Sequence, residues 1–123
     1  MSRTALVVDD SPTMRQMVAF TLTSAGFTVQ EAENGKDAVA KVSGQPKWDL
    51  VVTDLNMPEM DGIALIKELR KLAAFKFTPI LMLTTESAGE KKQAGKEAGA
   101  TGWIVKPFNP DVLMKTIAKV LPA

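Results

Sequence analysis

The chain alternates between two kinds of segment. Short apolar runs rich in β-branched residues recur at ALVV (Ala5 to Val8), FTVQEA (Phe27 to Ala32), DLVVTD (Asp49 to Asp54), PILMLT (Pro79 to Thr84) and GWIV (Gly102 to Val105). Each has the length of a strand, and at least three are continuously apolar, the pattern of parallel strands covered on both faces. Between them, helical spacing covers Pro12 to Ala25, Gly35 to Val42, Gly62 to Leu72, Glu90 to Ala98 and Pro110 to Leu121. In the first of these, Met14, Met17, Val18 and Leu22 read as a core-facing stripe that stops at Gly26, a natural C′ residue. In the last, Leu113, Ile117, Val120 and Leu121 form the same kind of stripe behind Pro110, which suits a first helical turn.

Five such alternations predict a doubly wound α/β fold: a five-stranded parallel sheet with right-handed crossovers and helices on both faces, in one domain spanning residues 1–123. Ligands of such sheets bind beyond the carboxyl ends of the strands. Asp9 and Asp10 follow the first strand, Asp54 ends the third, Thr84 ends the fourth, and Lys106 follows the fifth. Three carboxylates, a hydroxyl and an ammonium therefore converge from four distant segments. In VVDDSP, Asp10 or Ser11 could cap the helix that starts at Pro12, but a cap needs one residue, and one acidic side chain is left over.

Composition narrows the chemistry. With 46% hydrophobic residues and a formal net charge of +1, nothing marks a polyanion or bilayer surface, so neither nucleic acid nor membrane is an expected partner. The chain has no cysteine, which rules out disulfides and thiolate chemistry, and no histidine, which rules out Ser-His triads, His-zinc sites and a phosphohistidine on this chain. The apolar run near the N-terminus is too short for a signal peptide or a membrane span, so a cytoplasmic protein is expected. An all-oxygen acidic cluster suits Mg²⁺, which would offset the repulsion among the aspartates. Lys106 and Thr84 could then serve the remaining oxygens of a phosphoryl group, and one carboxylate could become an aspartyl phosphate. The simpler reading, that Lys106 only neutralises Asp9 or Asp10, leaves Asp54 and Thr84 unexplained.

The set VVDD, TDLNMPEMDG, LTT and VKPF resembles the receiver domain of two-component response regulators, of the stand-alone chemotaxis (CheY-like) type, over essentially the whole chain. The resemblance implies a flavodoxin-like (βα)5 receiver fold with strand order 2-1-3-4-5. It also implies that Asp54 accepts the phosphoryl group, and that Asp10, Asp54 and the main-chain carbonyl of Asn56 bind Mg²⁺, with Asp9 acting through a metal-bound water. Thr84 would turn its hydroxyl to the phosphoryl group and Lys106 would pair with it, the Lys106–Pro107 bond being cis. Asn56 and Glu86 would flank the water that attacks in autodephosphorylation, giving a short-lived phosphoryl state. Catalysis would be limited to the chain's own phosphorylation and dephosphorylation, its main role being a switch.

By the same resemblance, the phosphodonor is a sensor histidine kinase and the switch couples Thr84 to an aromatic residue on the fifth strand, here Trp103. The signal would leave through the fourth helix, fifth strand and fifth helix, with Lys91, Lys92, Trp103 and Lys119, toward an output protein such as the flagellar motor switch. A phosphatase is a further partner, and a monomer is expected. The fourth helix lacks large apolar residues, and Gly95 within it reads as a source of low intrinsic stability, so that Gly95→Ala would stiffen it. An adaptor or phosphate sink in a non-motility phosphorelay is the alternative role. A haloacid dehalogenase-type phosphatase would need a second aspartate where Asn56 stands, and an FMN-binding flavodoxin would not place carboxylates where DDSPTM does.

Overall fold

The computed structural model describes residues 3–42, 47–55, 57, 60–84, 89–106 and 109–121, and of residues 89–91 the backbone only. Strands β1 (Arg3–Val8), β2 (Phe27–Ala32), β3 (Leu50–Asp54), β4 (Ile80–Thr84) and β5 (Gly102–Val105) form one parallel sheet in the order β2-β1-β3-β4-β5. This is the expected order. The crossovers are α1 (Pro12–Ser24), α2 (Gly35–Val42), α3 (Gly62–Arg70) and α4 (Gly89–Ala98), and α5 (Pro110–Val120) closes the series. The helix α3 stops two residues short of the expected end, and a 3-10 turn at Ala73–Phe75 follows it. Among the described residues no helix is long and apolar enough to cross a membrane.

Position in the sheet follows from side-chain pattern. β3 and β4 are buried at every residue and lie inside, whereas β2 alternates between buried and open positions and lies at an edge. Alternation of side chains across the sheet divides the core in two. Leu6, Val51, Ile80 and Met82 meet Ala38, Val42, Leu65, Ile66 and Leu69 on the α2–α3–α4 side. Ala5, Val7, Val52, Leu81 and Leu83 meet Val18, Leu22, Leu113 and Ile117 on the α1–α5 side.

The expected stripe on α1 is corrected at one position. Val18 and Leu22 are buried and Met14 packs at the margin, but Met17 is 48% exposed. The buried face runs through 18, 19 and 22, and Met17 stands about 100° off Val18 on the helix wheel. It joins Phe20, Pro110 and Met114 around an open apolar groove between α1 and α5.

The reading of Gly95 also changes. The residue is buried, and a Cβ there would stand 2.5 Å from Met82 Sδ and 3.5 Å from Trp103 Cζ3. Glycine lets α4 lie close on β4 and β5; its place is set by contact with the sheet more than by a loose helix. Gly62 does the same for α3, more severely. Its N–H donates to the Leu55 carbonyl at 2.8 Å, and a Cβ would stand 2.2 Å from the Asp54 carbonyl oxygen. That neighbour is backbone and cannot turn aside. Alanine should gain about 1 kcal/mol of helix propensity at Gly62 and lose more to the clash, for a net destabilisation of about 2 kcal/mol. The shift in the urea unfolding midpoint of Gly62→Ala measures it.

Candidate functional site

The parallel register sets the site. Val8 pairs with Thr53, Asp54 with Leu83, Leu83 with Ile104, and Thr84 with Val105. Asp9, the residue after Val8, therefore stands level with Asp54, while Thr84 lies one residue beyond that level and Lys106 two. Two residues of strand span about 7 Å, which a lysine stem reaches back across. Lys106 Nζ lies 3.1 Å from Asp9 Oδ2 and 3.3 Å from Asp54 Oδ1. Asp9, Asp54 and Thr84 are all buried, and only Asp10 of this group is exposed.

Local geometry resolves the VVDDSP question. Ser11 is the N-cap of α1: its Oγ accepts from the Met14 N–H at 3.3 Å, with Pro12 in the first turn. Neither aspartate is used as the cap. Asp9 Oδ1 instead accepts from the Ser11 N–H at 2.9 Å, which turns Oδ2 toward Lys106. Asp54 Oδ1 accepts from the Leu55 N–H at 2.8 Å, so the β3–α3 turn orients that carboxylate as well. The two adjacent aspartates are thus unlike, one buried and ion-paired, the other open to water.

Asp9, Asp10 and Asp54 each present a carboxylate oxygen, and these oxygens lie within 4.8 Å of one another. An all-oxygen, anionic donor set of this kind fits a hard divalent cation such as Mg²⁺. Asn56, Glu86 and Pro107, and with Pro107 the cis bond, lie outside the described residues. The side chain of Lys91 does as well. Trp103 is half-buried against the core on the α4 side, and its indole Nε1 is buried with no hydrogen-bond partner among the described residues. Lys92 and Lys96 line a cavity of about 210 Å³ beside it, whereas Lys119 is exposed on α5.

Two contributors were not visible as site residues in the sequence. Gly62 seats α3 on the Asp54 backbone, and Arg15 donates from Nη1 to the Asp9 carbonyl at 2.9 Å. A glycine right after the Asp61 cap was a signal for the first. The second had none, because a lysine or arginine on an early helical turn reads as surface.

Burial, and then the charge of Asp9, push the Asp54 carboxyl up to about 6 against the pull of Lys106. A carboxyl raised in the folded state holds its proton longer than in the unfolded chain. Its ionisation therefore costs stability as pH rises from about 4 through 6, a loss of roughly 3 kcal/mol at full effect and less where water reaches the pocket. Without divalent metal, Asp54→Asn should raise Tm above the wild type at pH 7.5 and leave it nearly equal at pH 4, as scanning calorimetry at the two values would show.

Comparison with known proteins agrees with this geometry. Residues 5–118 match the response regulator receiver domain. The chain is 43% identical over 117 residues to the chemotaxis protein CheY1 of Helicobacter pylori, covering 94% of each. It is 41% identical to the CheY homolog of Campylobacter jejuni, with 94% of this chain and 90% of that one covered. The solved structure of the chemotaxis response regulator CheY4 of Vibrio cholerae superposes with a TM-score of 0.92 at 50% identity, over 98% of this chain and all of that one. The chain belongs to the response regulator receiver domain family, and it is a receiver of the CheY-like kind.

Proposed function

We propose that this protein is a phosphorylation-dependent switch that takes a phosphoryl group from the phosphohistidine of a sensor kinase onto Asp54. The observation that carries the reading is the cluster of Asp9, Asp54 and Lys106 at the carboxyl ends of β1, β3 and β5, with Asp10 at its open side. An oxygen of Asp54 attacks phosphorus; the P–N bond to the donor imidazole breaks and its electron pair leaves with the imidazole nitrogen. The Leu55 N–H and Lys106 both hold Oδ1, which presents Oδ2 as the nucleophile. Asp10, Asp54 and the Asn56 carbonyl would hold Mg²⁺, with Asp9 acting through water. When bound, the ion neutralises charge gathered on the phosphoryl oxygens during transfer.

After transfer, Lys106 exchanges a carboxylate partner for the phosphoryl dianion and the Thr84 hydroxyl serves a second oxygen. Asn56 and Glu86 then govern the water that removes the group. The new dianion is read out through α4, β5 and α5, where Gly95 and Trp103 make the contact between α4 and the sheet. Named likeness to chemotaxis proteins supports motility as the process. On this reading the output is the flagellar motor switch, the signalling form is a cytoplasmic monomer, and a phosphatase is a further partner.

Incubation with Mg²⁺ and a small acyl phosphate, followed by intact-mass measurement, tests the reading. One covalent phosphate should appear on the wild type, and none on Asp54→Asn or in excess chelator. An equal adduct on Asp54→Asn, or none on the wild type, would overturn it.

A further inference from the structure

Both backbone groups of Asp9 are tied to the end of β2. The Asp9 N–H donates directly to the Ala32 carbonyl at 3.2 Å. The Asp9 carbonyl is tied through a side chain: Arg15 Nη1 donates to it at 2.9 Å, while Arg15 Nε donates to Glu31 Oε1 at 3.1 Å. Glu31 is the residue before Ala32, so the two ties meet on neighbouring residues of one strand. Lys41 anchors that strand end in turn, its Nζ donating to the Glu31 carbonyl at 2.9 Å and pairing with Asp37 at 3.0 Å. Arg15 is partly buried and lines a polar pocket with Glu31, Glu33, Asp37 and Lys41.

The carbonyl that Arg15 holds belongs to the peptide joining Asp9 to Asp10. Fixing that carbonyl fixes the plane of the peptide. The plane decides where the Asp10 Cα projects, and Asp10 is the exposed member of the carboxylate cluster. A guanidinium can make both bonds at once because its donors sit in a rigid fork, whereas an ammonium on a flexible stem has no such fixed second donor.

We propose that Arg15, braced by Glu31, is a positioning residue for the cation site: it sets the Asp9–Asp10 peptide so that the carboxylates of Asp9, Asp10 and Asp54 converge. The inference rests on the Mg²⁺ role given to that cluster above. Coulomb's law makes a distinct demand. Arg15 is itself a cation near a cation site, so deleting its charge should on electrostatic grounds alone tighten Mg²⁺ binding. Loss of the clamp should weaken it.

Calorimetric titration of the whole 123-residue chain with Mg²⁺ alone separates the two. Arg15→Lys, which keeps the charge, and Arg15→Ala, which removes it, should each weaken Mg²⁺ binding about ten-fold, the scale seen when residues that orient metal ligands are changed. Adding Glu31→Ala to Arg15→Ala should add only the small, salt-screened effect of losing one exposed negative charge, well short of a further ten-fold, since Glu31 positions through the guanidinium. Mg²⁺ binding by Arg15→Lys as tight as the wild type, or tighter, overturns the proposal, and Arg15→Lys decides alone if Arg15→Ala does not fold. Amide exchange at Ser11 in the metal-free protein gives a second readout, expected to quicken in Arg15→Lys; an unchanged rate there also overturns the clamp. Absence of Mg²⁺ binding by the wild type would overturn the metal reading instead, and the exchange rate would still decide the clamp.

Discussion

A shortage of positive charge governs this molecule. Three carboxylates lie together at one edge of the sheet, two of them buried, and among the described residues the Lys106 ammonium is the cation that pairs with the buried two. One lysine leaves the cluster two charges short of neutrality, a deficit that suits a divalent ion. The strain shows in the raised affinity of Asp54 for its proton. Burial of ionised groups is costly unless they are paired, so the rest of the fold has to hold the carboxylates where repulsion would part them. The strand register, the turns after β1 and β3, and the glycine contact under Asp54 are the means of doing so.

Much of this was readable from residue order because parallel strands carry a simple signature. Continuous apolar runs mark β3 and β4, and the rule that open sheets bind at their carboxyl edge brings Asp9, Asp10, Asp54, Thr84 and Lys106 together on pattern alone. The motif resemblance supplied the strand order and the division of roles. What the chain did not reveal were matters of contact. Met17 looked like its neighbour Val18 in hydropathy, and only the angle between α1 and the sheet separates a core side chain from an exposed one.

Glycine shows the same limit in another form. Propensity alone makes Gly95 a weak point of α4, and that is a statement about an isolated helix. In the folded protein the same atom count is a packing solution, since Met82 and Trp103 occupy the volume a side chain would claim. Arg15 lies still further from legibility: its role depends on two hydrogen bonds with fixed angles, made to residues that precede and follow it by different distances in the chain. Pattern predicts which face is wet; it does not predict which wet residue holds a peptide plane.

At the opposite edge of the sheet, Arg70 spends its guanidinium on backbone alone. It donates to the Gly99 carbonyl at 2.7 and 3.2 Å, to Phe75 at 2.6 Å and to Thr78 at 2.7 Å, binding the last turn of α4 to the loop before β4. Arg70 thus makes one unit of α3, the end of α4 and the start of β4 at the amino end of the sheet, so charge gathered among the carboxylates at the other end meets a frame already tied down.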